Sequence, residues 1–596
     1  MKKFFSFLLG ILVVLILAGA LVFSLQPVEA ISEPVNTMQV TATPQQTAVP
    51  KAAQQDINEL PLVDNVALYA NDDPSSIVTI YVTVRKGNAS ENTNHTWEEV
   101  NNATKFFFEN LENVEVDKAE VIFQIGDETG PIRGEVGFGE NLPNGTIQVR
   151  GNSASTRTVK SYKIELRDRT GGWRGQNTIA LNKHYGDPTR IKNYLCFDLL
   201  QSVPDMTSLR TQFVHLYVKD ETSDPPSEEF VDYGLFTQVE QPNRTFLRNH
   251  GLDPNGQLYK AVFFEFFRYP QEIRPVDDPQ YELRAFETRL EVKGDQNHTK
   301  LISMLEAVND PLIPIEQTFE RYFNVDNYFT WMAFNILIGH TDTTSQNFYL
   351  YSPQNSEKWY FLPWDYDASL NVLFKERFGS VFPYQNWEKG VQTYWGVVLH
   401  NRVLKVDRYR QQLDEKIEEI RPLLTSEIIN EKLAVYREVT APFLNRTPDL
   451  FYSEEDRLEF AYQTIPREVD TNYQRYQQSL KEPMPFFLGT PEIVDGKIRF
   501  YWNTSYDFNA ENITYQIQLS RDYEFNEVIL EATTTNFPQV EFDNVLEPDT
   551  YFWRVIARNE SGYQQFPFDN YMDDLNIRHN GLQVFYVYAD GTLSPQ

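Results

Sequence analysis

The chain has 596 residues, with 53 Lys plus Arg against 84 Asp plus Glu and a formal net charge of −31. That acidic excess excludes a nucleic-acid polymer as partner, because such binding needs a basic face that displaces phosphate counterions. Aromatic residues at 14% and hydrophobic residues at 41% exclude a disordered or fibrous chain. A single cysteine, Cys196, excludes an intramolecular disulfide framework and any Cys-based zinc or iron–sulfur cluster.

Lys2 and Lys3 precede an apolar run from Phe4 to Leu25, and Val28-Glu29-Ala30 resembles a small-residue cleavage site. Residues 1–30 therefore read as a secretory signal peptide or, since about 20 apolar residues span a bilayer, as an N-terminal membrane anchor. Either reading puts the rest of the chain outside the cytoplasm, secreted or anchored to the cell membrane. Residues 31–57 are rich in Thr, Gln, Ala, Val and Pro without a period, as in a flexible spacer.

From about 60 the pattern is mainly β. Strands are predicted at Ile77–Val84, Glu120–Ile125, Ser161–Leu166 and Gln212–Val218, with a helix over Arg190–Leu200. The character is expected to change at Val325, where an almost wholly apolar stretch ending at Gly339 reads as a buried helix. A β-like patch follows (Phe348–Tyr351, Trp359–Leu362), and residues 395–481 carry strong helical patterns. The main body, 58–482, is thus an α+β unit with a β-rich half before a helix-rich half. Beyond Pro483-Met484-Pro485, residues 487–596 show alternating strands at Ile498–Trp502, Tyr515–Leu519 and Tyr551–Ala557, an all-β sandwich resembling a fibronectin type III module. Tyr551 directly follows Thr550, where that family usually has an intervening residue.

The chemistry concentrates in His340-Thr341-Asp342-Thr343-Thr344-Ser345-Gln346-Asn347, just after the apolar helix, and in Leu362-Pro363-Trp364-Asp365-Tyr366-Asp367. An aspartate five residues before an asparagine can supply a base and a metal ligand to one pocket. A second aspartate after the next hairpin can complete the metal shell. Phosphoryl transfer needs those parts, and the H-x-D-x-x-x-x-N spacing echoes the protein-kinase catalytic loop. Alone the pattern is weak, because Asp and Asn are the commonest loop residues.

Further motifs lie upstream in order: Ile147–Ser155 leading into Lys160–Leu166, Asp187-Pro188-Thr189-Arg190, Tyr233–Glu240, and Leu258-Tyr259-Lys260. With the two aspartate motifs they resemble the spore-coat protein H (CotH) kinase family over about residues 75–480. The resemblance implies an atypical two-lobed protein-kinase fold, a β-rich N-lobe and a helical C-lobe with ATP and Mg²⁺ (or Mn²⁺) between them. It implies phosphorylation of Ser or Thr on surface or coat proteins. Carried onto this chain, Asp342 is the catalytic base and Asp365 the metal ligand, with Asn347 and Asp367 assisting the metal. Lys163 fits the phosphate-neutralising strand lysine, although Lys160 is close enough to serve. Arg150 and Arg190 are secondary phosphate candidates, and Glu240 and Lys260 match family motifs beside the nucleotide.

Each residue has a plainer reading. Lys163 can be an ordinary strand charge, Arg190 in the first turn of its helix can pair with a local carboxylate, and Glu240 with Lys260 can form a structural ion pair. Trp364 and Tyr366 read as packing anchors, and His340 as a hydrogen-bonded residue rather than a metal ligand. No G-x-G-x-x-G loop or Walker motif is present. Two other functions compete with the kinase. Scarce extracellular ATP favours a non-catalytic surface scaffold with a kinase-like fold, whereas Asp342, Asn347 and Asp365 together favour the enzyme. Polysaccharide hydrolysis by Asp365 and Asp367 ranks last, because carboxylates on alternate residues of one loop seldom flank a glycosidic bond. The C-terminal module suits a cell-surface polymer or matrix as partner.

Overall fold

The computed structural model describes residues 61–103, 116–184, 186–379, 385–543 and 546–595. The expected signal or anchor (1–30) and spacer (31–57) lie outside the described residues. No helix among those described is long and apolar enough to cross a membrane.

Eight strands build the first sheet: β1 (Ile77–Arg85), β2 (Ala119–Asp127), β3 (Gly130–Pro131), β4 (Gly145–Arg150), β5 (Ser161–Leu166), β6 (Thr178–Asn182), β7 (Thr211–Asp220) and β8 (Val231–Val239). Their order is β1-β7-β8-β6-β5-β4-β2-β3, and β1 also pairs with β2. That extra antiparallel pairing, from Thr79↔Gly126 to Arg85↔Glu120, closes seven of the strands into a ring. Closure removes the sheet edges and puts alternate side chains inside. Ile80, Val82, Val84, Val121, Phe123, Ile147, Tyr162, Ile164, Ile179 and Leu216 fill the interior. On β5 this alternation buries Tyr162 and Ile164 and turns Lys163 and Glu165 to the outer face.

A second sheet has the order β10-β9-β11-β12, from β9 (Gln257–Ala261), β10 (Leu290–Val292), β11 (Phe348–Ser352) and β12 (Tyr360–Pro363). It draws strands from both sides of Val325, and helices already run over Thr299–Asn309 and Ile315–Tyr322. The expected passage at Val325 from a β-rich to a helix-rich half is therefore corrected: non-local pairing interleaves the two. The apolar segment is helix α2 (Val325–Leu337), with α1 (Lys192–Leu200) before it in the chain. Asn324 caps α2 through the Asn327 amide at 2.9 Å, and nearly all its residues are buried, as suits a helix apolar on every side. Gly339 then turns the chain at φ +65, where a Cβ would lie 2.6 Å from the Asn472 side chain. Helices α3 (Val372–Phe378), α4 (Asp407–Ile420), α5 (Ser426–Leu444), α6 (Glu455–Thr464) and α7 (Glu468–Ser479) complete this region.

At α1 the structure differs from the expected Arg190–Leu200 helix. The helix begins at Lys192, and Arg190 precedes it at φ +60, fully buried, instead of occupying its first turn.

The C-terminal residues form two main sheets. β13 (Glu492–Val494), β14 (Lys497–Tyr501) and β17 (Gln539–Asp543) make one. β15 (Thr514–Ser520), β16 (Val528–Thr535), β18 (Asp549–Arg558), β22 (Gln583–Val587) and β23 (Leu593–Pro595) make the other, in the order β16-β15-β18-β22-β23. Between β18 and β22 lie the short strands β19 (Gln564–Gln565), β20 (Asn570–Met572) and β21 (Arg578–Asn580). Phe500, Trp502, Tyr515, Ile517, Trp553, Val555 and Phe585 form a core shared by the two main sheets. The fold is mixed α and β with large sheets.

Candidate active site

The loop after α2 holds Asp342 between two donors. Asn347 Nδ2 donates to Asp342 Oδ2 at 2.8 Å, and Gln346 Nε2 donates to Oδ1. Asn347 reaches back because its backbone takes φ +57, a left-handed conformation that asparagine tolerates. Its amide nitrogen spent on Asp342, Asn347 retains its Oδ1 as an acceptor. Asp342 is open to solvent but crowded by protein, and that desolvation pushes its carboxyl up to about 7, with the charges of Asp365 and Asp367 adding to the rise.

Asp365 follows β12 at φ +58. Desolvation, then the neighbouring Asp367 charge, raises its carboxyl to about 6. Asp367 moves the other way: burial raises it, but the hydrogen bond from His184 and the nearby Lys192 charge outweigh that and hold it below the usual carboxylate range. The His184 tautomer follows from its partners. Asn193 Oδ1 accepts from the Tyr366 amide at 2.9 Å, so its Nδ2 must donate to His184 Nε2, 3.2 Å away. The proton then sits on Nδ1, 3.3 Å from Asp367 Oδ2.

Above these loops stand two cationic walls. Arg150, at the end of β4, donates to Asn182 Oδ1, lies 5.8 Å from the Trp364 ring and interacts with Asp365 and Asp367. Desolvation lowers the proton affinity of its guanidinium. Lys260, on β9, lies 5.8 Å from the same ring, acts on Asp365 and sits 3.9 Å from Glu291. Lys163 shares the barrel's outer face with Arg150, since Lys163 pairs with Gln148 and Gln148 is two residues from Arg150. It is tied to Glu165 at 2.9 Å. Glu165 in turn acts on Lys293, itself 2.8 Å from Glu291, so alternating charges join the barrel face to the second sheet. Lys160 instead donates to the Ser155 carbonyl at 2.5 Å.

Two expected site residues lie elsewhere. Glu240 is fully buried 3.0 Å from His250 Nε2, whose Nδ1 meets Asp64 at 2.5 Å. The plainer reading of Glu240 and Lys260 as an ion pair is corrected to Glu240–His250 and Lys260–Glu291, because Glu240 is buried in the cluster with His250 and Asp64. Arg190 donates to the His184 carbonyl and lies against Tyr452, behind the site. His340 is corrected as well: both ring nitrogens are buried without a hydrogen-bond partner among the described residues, and burial lowers its imidazole to about 3. Its ring packs edge-on against Tyr366 at 5.1 Å. Trp364 and Tyr366 are buried anchors, as expected.

His184, Gln346, Glu291, Lys293 and Lys375 were missed. Lys375, on α3, acts electrostatically on Asp342. Gln346 had a signal, lying four residues beyond Asp342 and beside Asn347. The others reach the cleft through tertiary packing alone.

The CotH kinase protein family matches this chain over residues 147–484, more than half its length, and the chain belongs to that family. It is 22% identical over 307 residues to inner spore coat protein H of Bacillus subtilis (strain 168), which covers 51% of this chain and 78% of that protein. Among solved structures it is similar to the Helicobacter pylori proinflammatory kinase CtkA at 12% identity and a TM-score of 0.26, covering 53% of this chain and 94% of that one. Family membership supports a kinase-like function.

Proposed function

We propose that the chain is an extracytoplasmic, Mg-ATP-dependent protein kinase acting on Ser or Thr of surface or coat proteins. The observation that carries this reading is the Asp342 carboxylate, oriented by Asn347 and Gln346 in the cleft where Asp365 and Asp367 meet Arg150 and Lys260.

In this mechanism the acceptor hydroxyl oxygen bonds to the γ-phosphorus as Asp342 takes the hydroxyl proton. The bond from γ-phosphorus to the bridging oxygen breaks, and its electron pair leaves on ADP. A carboxyl near 7 suits a base working at neutral pH. Lys163, Arg150 and Lys260 offset phosphate charge, with Lys163 exchanging its Glu165 partner for phosphate oxygen.

Asp365, Asp367 and Asn347 Oδ1, which accepts no hydrogen bond among the described residues, fit a magnesium ion. They are hard oxygen donors, and a divalent cation would relieve the Asp367 repulsion that adds to the desolvation raising Asp365. No cluster of three or more His, Cys, Asp or Glu suited to a metal occurs among the described residues. Magnesium bound to nucleotide needs only one or two carboxylates, phosphate oxygens supplying the rest. When bound, it would neutralise charge on the transferring phosphate.

We read residues 58–482 as the two-lobed kinase unit and 487–596 as a fibronectin type III-like sandwich. The strand order of the two C-terminal sheets supports this, as does Tyr551, whose hydroxyl donates to the Glu547 carbonyl at 2.9 Å like a tyrosine corner. The signal or anchor at 1–30 and the coat role named for the Bacillus relative support an exported enzyme with a coat or surface substrate. The test incubates the full chain with γ-labelled ATP, Mg²⁺ or Mn²⁺ and a Ser-rich acceptor, beside Asp342→Ala and Asp365→Ala. Label from the wild type alone supports the kinase; none with either metal leaves the surface scaffold.

A further inference from the structure

We propose that the insertion between β18 and β22 is a brace for the phosphoryl-transfer site, holding the segment 385–396 that packs beside His340 and Thr341, the residues leading into Asp342. This deepens the kinase reading and rests on Asp342 being its base.

β18 and β22 are antiparallel neighbours, Asp549↔Val587 to Trp553↔Gln583, and a short turn would join them. The chain instead inserts residues 559–582, and these are turned toward the first region. Gln565, fully buried, accepts from Asn386 Nδ2 at 3.0 Å and donates to the Pro483 carbonyl at 3.2 Å. The Phe568 and Trp387 rings meet at 4.8 Å and 66°. A Cβ at Gly396 would come within 3.5 Å of the Phe568 ring, so the backbone there lies directly against it. Phe568 joins Tyr506 and Phe508 in packing on the large core of the first region, while Trp395 lies 5.5 Å from Tyr506 and 5.7 Å from Phe508. The connecting residues Glu482–Phe486 are buried, unlike the exposed linker of a freely moving module.

The other side of the same segment faces the turn that leads into Asp342. Glu388, Lys389, Gly390, Thr393 and Tyr394 line a small cavity together with His340 and Thr341, the residues immediately before Asp342. Arg475 donates to the Glu388 carbonyl at 2.7 Å, and Lys389 meets Glu482 at 2.6 Å, so the segment transmits position instead of yielding. Charge follows the same route: Arg578 of the insertion and Lys375 of α3 both act on Glu388, and Lys375 acts on Asp342. Rings on one face and the His340–Asp342 turn on the other make Trp387 and Phe568 positioning residues. A displacement of about 1 Å at a reacting group can cost about a hundredfold in rate.

The test uses the full chain with Trp387→Ala, Phe568→Ala, the double variant and Phe568→Leu. Hydrogen exchange is followed by mass spectrometry over 339–347 and 385–396, and kcat and KM for Mg-ATP are measured with a Ser-rich acceptor. We expect each alanine variant to speed exchange over 339–347 by about tenfold or more. It should lower kcat by about tenfold or more while KM for ATP stays within about threefold. The double variant should be no worse than the singles, and Phe568→Leu should recover most of the rate. Should Phe568→Ala unfold the C-terminal sheets, Asn386→Ala, which removes the amide given to Gln565 and to the Gln564 carbonyl, carries the same expectation at smaller amplitude. Exchange confined to 385–396 overturns the brace, and so does loosening of 339–347 with kcat unchanged. A wild type that transfers no phosphate removes the base role of Asp342, and exchange over 339–347 then decides the brace alone.

Discussion

Asn347 donates its side-chain amide to the Asp342 carboxylate at 2.8 Å from a backbone at φ +57, so one loop residue orients the proposed base and keeps its Oδ1 as an acceptor. Asn347→Asp replaces that donor with a like charge, which disfavours the ionised form of Asp342. Transfer from ATP should fall by about a hundredfold, and the rate should rise again at alkaline pH. A rate–pH profile of the variant checks this.

Asp365 is held charged against burial and against Asp367, which costs the nucleotide-free protein stability. Asp365→Asn should therefore raise the melting temperature without ligand and abolish the rise that Mg-ATP gives. For the wild type that rise corresponds to about 2.7 kcal/mol at a ligand concentration one hundred times Kd. Thermal shift assays with and without Mg-ATP read both effects.

The buried Asp64–His250–Glu240 cluster makes stability depend on pH. Burial opposes the charged imidazole, but the hydrogen bonds it donates to Asp64 and Glu240 outweigh it and lift His250 from 6.5 to about 9. A raised imidazole contributes stability that is fully present below about 6.5 and lost as pH rises through about 9. The stability gap between wild type and His250→Gln should thus shrink on the order of 3 kcal/mol from pH 6 to pH 10. Urea unfolding at the two pH values measures it.

Lys183 and Asp449 form a buried ion pair at 2.9 Å that ties the end of β6 to the helical region. Asp449 also accepts from the Leu235 amide at 2.8 Å. Asp449→Ala leaves a buried ammonium without its partner and should cost about 3–5 kcal/mol in urea unfolding, much of which Lys183→Met should restore in the double variant.

Much of this was legible where the signal is local. β5 runs over Ser161–Leu166 as its alternation predicts, and α2 starts at Val325. The Asp342 and Asp365 motifs were readable because each is one short loop. What depends on distant pairing was not. Closure of the barrel needs β1 beside β2 as well as β7, and nothing in the β1 pattern names two partners. Arg190 lies at the edge of a helical pattern but takes a left-handed backbone, which periodicity does not register. Glu240 and Lys260 invited pairing by charge, whereas topology gave Glu240 to a histidine ten residues on and Lys260 to the neighbouring strand.

The central claim is that Asp342 acts as the base in phosphoryl transfer from ATP. It is tested most directly by single-turnover transfer from γ-labelled Mg-ATP to a Ser-rich acceptor, comparing wild type with Asp342→Asn at matched nucleotide occupancy. The account predicts a rate lower by about 10²–10⁴-fold in the variant with ATP affinity unchanged. Equal rates in the two proteins, or no transfer by the wild type, would contradict it.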